Sequence, residues 1–389
     1  MISTAARPYI EASVPVLRAH GLAITTAFYK NIFAELPQLT NLFNMGNQAN
    51  GSQQQSLASA VFAYAANIDN AAALGPVVNR IVQKHVSVGV RAEHYPIVGR
   101  HLLGAIAETL GDAATPPLLA AWDEAYNALA AIFIEAEKAM YAGAGIEPGQ
   151  TRTMRVLDVT PQGKDVVAIR LVPVDGEPVP AFRPGQYLSV HVAFPDGRRQ
   201  IRQYSLSDAP RSDSLRISVK RDGEVSHWIH DQIEVGSELE VSPPFGDFMP
   251  DTESNEPVVL LSAGVGITPM IAALNRIAQV NPARYVIFAH ATRDAQHQAH
   301  QDDIAAARAR MPNLQVITFH EEGEKSAGVL PGRMELVALP SWPRSETNVY
   351  LCGPLGFMQS QWLSLVGAGV PVTRLHREVF GPEALDHIL

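Results

Sequence analysis

Apolar residues recur every three or four positions from the N-terminus to about residue 147. Pro and Gly fall at the breaks and no alternating pattern appears, which predicts an all-helical segment. Three stripes stand out: Leu118, Trp122, Tyr126, Leu129, Phe133, Glu137; then Gln53, Leu57, Ala60 or Val61, Tyr64; then Val78, Ile81, His85, Val88. Each puts a polar group on an otherwise apolar face. Near Gly143 to Gly149 the pattern changes. Short strand-like runs at 155–159, 165–171, 187–192, 200–206, 214–220 and 238–241 are separated by turn residues, a spacing that predicts an antiparallel β-barrel. After Pro257 the runs 258–261, 285–289, 314–318 and 348–351 alternate with helical stretches, which predicts an α/β parallel sheet with helices on both faces. The expected domains are 1–147, 148–256 and 257–389.

A length of 389 residues already implies two or three cores, and a hydrophobic fraction of 47% fits a soluble chain. The formal charge of -9, with scattered basic residues, argues against a nucleic-acid partner. The single cysteine, Cys352, permits no internal disulfide and no cysteine-rich metal site, so a reducing, cytoplasmic setting is expected. No signal pattern opens the chain. Its most apolar stretch, Val258 to Ile277, is broken by Gly264, Gly266 and Pro269, so no membrane insertion is expected.

An imidazole on an apolar helical stripe suits an iron ligand, and equally a satisfied core histidine. His85 is placed that way, and Glu137 on its stripe has the alternative of a solvated residue near a helix end. Taken with Tyr29, Phe43, Gln53, Leu57 and Tyr95, and with the strings Phe43-Asn44-Met45 and Lys84-His85, these residues resemble the heme pocket of the globin module of flavohemoglobins. The resemblance implies an all-α globin fold, heme b, and His85 as the iron ligand. It also implies Tyr95 and Glu137 behind the ligand, Tyr29 and Gln53 as donors to bound dioxygen, and Phe43 and Leu57 as walls. A carboxylate accepting the ring N–H makes the imidazole more electron-donating.

In the middle segment, Arg202-Gln203-Tyr204-Ser205 combines a cation for a pyrophosphate, an aromatic that can stack on an isoalloxazine, and a hydroxyl for the flavin edge. Arg183-Pro184-Gly185-Gln186-Tyr187 precedes it, and Gly223-Glu224-Val225-Ser226-His227-Trp228 follows, where Gly223 and Ser226 would open a short helix toward phosphate. With Pro244-Phe245-Gly246-Asp247-Phe248 these strings resemble the FAD domain of the ferredoxin-reductase superfamily. Strand packing remains an alternative for Tyr187.

Further on, Ser262-Ala263-Gly264-Val265-Gly266-Ile267-Thr268-Pro269-Met270 pairs a glycine loop with a helix start that Thr268 is expected to cap. Pro269 replaces the third glycine of the usual dinucleotide fingerprint, a form that resembles the same superfamily. Cys352-Gly353-Pro354 fits its nicotinamide-side loop, and Glu378-Val379-Phe380-Gly381-Pro382 resembles the segment whose aromatic ring, here Phe380, covers the flavin. Cys352 also suits a small buried hydrophobe. Arg293 suits a 2'-phosphate, but Asp294 beside it tips the expectation to NADH.

A hydride carries two electrons and heme iron accepts one, which explains a flavin between them. Resemblance to bacterial flavohemoglobins implies nitric oxide dioxygenase activity: NAD(P)H to FAD, single electrons to heme, and nitric oxide with dioxygen to nitrate. The alternatives are a flavin reductase of peroxide, nitrite or ferric iron, and a sensor or store of dioxygen or nitric oxide. The expected partners are these small molecules alone, with a monomeric chain. Lys84 and Glu378 are placed by the resemblance between the two cofactors.

Overall fold

The computed structural model describes residues 2–68, 70, 74–323 and 328–382. Six helices carry the first part: α1 (Arg7–Glu35), α2 (Met45–Ala49), α3 (Ser52–Ala66), α4 (Gly75–Val88), α5 (His94–Leu110) and α6 (Pro116–Ala144). Prolines open α4 and α6, where the missing N–H costs nothing, and left-handed Gly89 and Gly145 end them. The apolar stripes of α1, α3, α5 and α6 meet in one core in which Ile10, Ile32, Ile106 and Ala125 are fully buried.

Six strands follow: β1 (Arg152–Pro161), β2 (Val166–Pro173), β3 (Tyr187–Ala193), β4 (Arg199–Ser205), β5 (Leu215–Lys220) and β6 (Glu238–Val241), in the order β4-β3-β6-β1-β2-β5. A bridge between Leu206 and Ile217 joins the two outer strands, so the sheet closes as the spacing predicts. Helix α7 (Glu224–Gln232) lies between β5 and β6.

The remaining strands are β7 (Val258–Ala263), β8 (Val286–Thr292), β9 (Leu314–His320), β10 (Val329–Pro331), β11 (Asn348–Cys352) and β12 (Leu375–Glu378), all parallel, in the order β10-β9-β8-β7-β11-β12. With α8 (Ile267–Val280), α9 (Gln301–Arg310) and α10 (Leu355–Gly367) they form the expected α/β layer. Successive residues of β7 enter different cores: Val258 and Leu260 pack with Leu274 and Ile304, while Val259 and Leu261 pack with Leu365 and Trp342. Burial on both faces explains the unbroken apolar runs. Strands β10 and β12 escape the sequence pattern because they are short edge strands, three and four residues long, and β12 reads Leu-His-Arg-Glu.

The chain separates into two compact units: Met1–Gln150 with His191–Arg202 and Gly381–Leu389, and Thr151–Val190 with Gln203–Phe380. No helix among the described residues is long and apolar enough to cross a membrane.

Candidate functional site

Helix α4 stops one turn beyond His85 in a glycine cap. The amides of Gly89 and Val90 donate to the carbonyls of Val86 and His85 at 3.1 and 3.0 Å, the paired bonds of a left-handed terminus. A Cβ on Gly89 would stand 2.6 Å from the Cα of Gly149, so two glycines meet where the helical pattern ends. Tyr141 pins the same corner by donating to the carbonyl of Val90 at 2.8 Å.

His85 Nδ1 lies 2.7 Å from Glu137 Oε1 and 3.1 Å from the Tyr95 hydroxyl. A carboxylate only accepts, so Nδ1 carries the proton and Nε2 keeps its lone pair, the tautomer that metal ligation requires. Tyr95 donates a short hydrogen bond to the same Glu137 oxygen. Glu137 is 3% exposed, which excludes the solvated-residue alternative. Burial first, and then the Glu137 hydrogen bond, raises the Tyr95 pKa far above that of a free phenol, so Tyr95 stays a donor. The arrangement is held by Tyr126, whose hydroxyl donates to the Tyr95 carbonyl at 2.6 Å. Its ring lies so close to Gly99 that a Cβ there would be 2.5 Å away. Phe133 packs on both His85 and Tyr95.

Tyr29 on α1 is buried, with the rings of Phe33 and Phe43 at 5.8 and 5.6 Å. Burial pushes its pKa up to about 12, partly offset by hydrogen bonding to Gln53 and by the Gln48 amide, so the phenol is neutral. Gln48 Nε2 is buried with no hydrogen-bond partner among the described residues. An orphaned donor beside a buried hydroxyl suits a small polar ligand better than an apolar core. Leu57 is half-buried on α3 beside the helical core. The lone pair of His85 and these donors fit a heme with a diatomic ligand. Gln48 escaped sequence reasoning; its only signal was the Gln-rich run around Gln53.

On the barrel, Arg202 Nη1 donates to Gln200 Oε1 and to the Ile201 carbonyl at 3.0 and 2.9 Å, and Arg202, Gln203 and Tyr204 are half-buried. Gln203 turns to Ser189 Oγ at 3.0 Å, and Ser205 is buried. Tyr187 pairs with Phe245, and a Cβ on Gly246 would stand 3.0 Å from its ring. Ser226 accepts from the Asp222 amide at 2.7 Å and donates to the Gly223 carbonyl at 2.9 Å, shaping the start of α7. An aromatic against a bare glycine, an ordered guanidinium and a helix opened by Gly223 are a donor set that suits a flavin nucleotide.

The parallel sheet reverses its strand order between β7 and β11, the kind of crevice where open α/β sheets bind ligands. Both candidate loops leave the carboxyl ends of these two strands. Gly264 is left-handed at φ 54, and a Cβ on Gly266 would stand 2.3 Å from the Cys352 carbonyl oxygen and 2.7 Å from the Gly353 amide. Val265 is half-buried; Ile267, Thr268 and Pro269 are buried in the first turn of α8. Thr268 does not cap that helix. Its hydroxyl donates back to the Val265 carbonyl at 3.1 Å, because Thr268 already lies inside the first turn and Gly266 holds the cap position. The α8 amides are thus left without a side-chain cap, which fits a pyrophosphate. The Cys352 side chain is a buried core member, and only its backbone meets the glycine loop. Pro354 caps α10. After β12, Val379 is half-buried and Phe380 is 46% exposed, followed by left-handed Gly381 and by Pro382. Lys84 is exposed on α4, and Glu378 is half-buried at the end of β12.

A histidine-bearing globin followed by a barrel and a nucleotide-type parallel sheet defines a globin fused to a reductase. The globin family profile matches residues 26–133 and the oxidoreductase NAD-binding domain matches residues 260–362. The flavohemoprotein of Bordetella parapertussis is 45% identical over 402 residues, covering 98% of this chain and 99% of its own. The chain belongs to the flavohemoprotein family. The flavohemoglobin of Malassezia yamatoensis, crystallised with FAD and heme, matches with a TM-score of 0.88 at 30% identity over 98% of this chain and 100% of its own. The FAD/NAD-binding domain of nitric oxide dioxygenase from Vibrio cholerae matches 59% of this chain and 99% of its own, with a TM-score of 0.57 and 37% identity.

Proposed function

We propose that this chain is an NAD(P)H-dependent nitric oxide dioxygenase, using heme b and FAD to turn nitric oxide and dioxygen into nitrate. The observation that carries the reading is the His85 Nδ1–Glu137 Oε1 hydrogen bond of 2.7 Å on a chain that also holds a glycine loop at a sheet reversal. Flavohemoproteins similar along nearly the whole chain support it.

When bound, FAD converts a two-electron donor into single electrons and heme b supplies the iron that binds dioxygen. His85 would hold that iron through Nε2. Glu137, by accepting a hydrogen bond from Nδ1–H, raises the electron density of the imidazole, and Tyr95 keeps the carboxylate oriented. Tyr29, neutral and buried, would offer its O–H as a donor to a small polar ligand in the pocket, with the Gln53 and Gln48 amides beside it. Phe43 and Leu57 exclude water. Arg202, Tyr204, Ser205, Tyr187 and Ser226 would hold the flavin, Gly264–Pro269 and Cys352–Pro354 the nicotinamide nucleotide, and Phe380 would shield the flavin ring. Lys84 and Glu378 stand next to His85 and next to the Val379–Phe380 pair in the chain, where their charges bear on the potentials. The setting proposed is a cytoplasmic monomer, consistent with a single, buried cysteine.

The test is an absorbance spectrum of the purified protein, oxidised and NADH-reduced, followed by nitric oxide consumption under air. A Soret band, a flavin band and NADH-dependent nitrate formation are expected. Absence of either chromophore, or nitric oxide loss with no NADH use, overturns the reading.

A further inference from the structure

The barrel and the parallel sheet of the second unit are joined by a buried charged lattice. Arg216 Nη2 on β5 meets Asp303 Oδ1 on α9 at 3.0 Å, and Asn275 on α8 donates to both Asp303 Oδ1 and Asp208 Oδ1, at 2.8 and 2.9 Å. Arg170 on β2 pairs with Asp208 at 3.1 Å, and His300 Nδ1 lies 2.8 Å from Asp303 Oδ2. The His300, Asp303, Arg216 and Asp208 side chains are only 0, 14, 12 and 16% exposed. These residues come from β2, the segment after β4, β5, α8 and the start of α9, so no single element explains them.

A second contact lies alongside. The turn between β1 and β2 sends the Lys164 amide to the Gln296 carbonyl at 2.8 Å, and Gln162 Oε1 accepts the His300 amide at 3.0 Å. Gly163 is required there, since a Cβ would stand 2.7 Å from the Gln296 oxygen. His300 is the one non-glycine among the described residues with a left-handed backbone, at φ 59. A strained conformation persists only where its surroundings over-determine it, and here Gln162 takes its amide while Asp303 takes its ring. Burial pushes the Asp303 pKa up, but the His300 hydrogen bond and the Arg216 charge outweigh it and hold the carboxyl well below the usual range.

A buried ionic lattice is a poor source of stability, because desolvation consumes most of the attraction; its strength is directional. Hydride transfer depends on orientation between two carriers bound on different parts of the fold. We infer that Asp303, with Asn275, Arg216 and His300, is a positioning residue that fixes the nicotinamide-binding sheet against the flavin-binding barrel for hydride transfer. None of these residues is among those assigned to the flavin or to the nicotinamide nucleotide. The inference rests on the proposed NAD(P)H-to-FAD step.

The experiment compares the full-length holoprotein with Asp303→Ala, Asp303→Asn and His300→Gly. Glycine adopts the left-handed backbone readily, so the last variant deletes only the ring. Anaerobic stopped-flow with NADH should show flavin reduction slowed roughly 10- to 100-fold in Asp303→Ala, the scale of an ångström-sized misplacement. The NADH concentration for half-maximal rate should change little, and Asn, which keeps an acceptor for Arg216 and Asn275, should restore part of the rate. Amide hydrogen exchange should quicken at Lys164 and His300 while the heme spectrum stays unchanged. Wild-type reduction rates in both Asp303→Ala and His300→Gly overturn the inference, as does a loss confined to NADH affinity. Failure of the wild type itself to reduce its flavin with NADH would instead remove the hydride step on which the inference stands.

Discussion

Replacing Gly266 by Ala isolates the approach of two loops at the sheet reversal. Gly266 has φ -61, a conformation alanine adopts freely, so backbone strain plays no part. By itself the change should stabilise the chain by about 0.4–1 kcal/mol through the unfolded state. Against that stands a Cβ 2.3 Å from the Cys352 oxygen, 2.5 Å from its carbon and 2.7 Å from the Gly353 nitrogen, all backbone atoms. Ordinary contact begins near 3.4 Å, so the loops must part by 3.4 - 2.3, about 1.1 Å. Overpacking of this kind costs about 1–3 kcal/mol, which reverses the sign of the expected effect. Melting should fall by roughly 2–4 °C per kcal/mol of net loss for a unit of this size. The same ångström of displacement should slow NADH-driven flavin reduction by roughly 10- to 100-fold, while dithionite reduces the heme as in wild type. The assay is anaerobic stopped-flow at the flavin band beside a thermal melt. A Gly266→Ala protein with wild-type melting and wild-type NADH kinetics would refute the close approach and its bearing on the nucleotide site.

Three more perturbations probe other parts of the molecule. Glu137→Gln can keep an oxygen for the two donors that share Oε1 but removes its charge, weakening charge-assisted bonds worth about 1.5–3 kcal/mol toward the roughly 1 kcal/mol of neutral ones; the heme potential should rise, and an unchanged value by spectroelectrochemistry dismisses Glu137 as a tuning group. Tyr29→Phe deletes a buried O–H donor worth about 1 kcal/mol net, so dioxygen should dissociate about fivefold faster by flash photolysis, and an unaltered rate counts against the assignment. His290, fully buried beside Ser262, has its pKa pushed down to about 3 by burial and by His300 and His320. Its folded pKa lies below the unfolded value near 6.5, so the unfolded chain binds the extra proton. Stability is then intact above pH 6.5 and falls as the pH drops toward 3, by at most about 1.4 kcal/mol per unit. Denaturant midpoints that stay flat from pH 6.5 to 4.5, or a slope equal to that of His290→Gln, contradict this.

Much of the architecture was legible because it is periodic. Stripes at helical spacing located α3, α4 and α6, and ten strand-like runs mark ten of the twelve strands among the described residues, since a period of 3.6 or 2 is a local property. His85, the Arg202–Ser205 string and the Gly264–Pro269 loop were legible because their residue types are tied to short spacings. The edge strands β10 and β12 were hidden by their shortness, and β12 also by its polar residues. Thr268 misled because a residue in the first turn of a helix resembles its cap in sequence.

The amino-acid sequence alone determined the helical and strand segments, the change near Gly149 and the residue types available for chemistry. Only the tertiary structure decided their partners: the burial of Glu137 against a histidine 52 positions away, the Gln48 amide near Tyr29, and the lattice linking Arg216 to Asp303 across 87 positions. It alone decided that Gly266 meets Cys352 at the sheet reversal, and that the glycine-to-glycine contact of Gly89 and Gly149 lies where the helical pattern stops. The physical reason is that periodicity is written in neighbouring residues, whereas desolvation, hydrogen-bond partners and close backbone approach depend on packing between segments far apart in the chain.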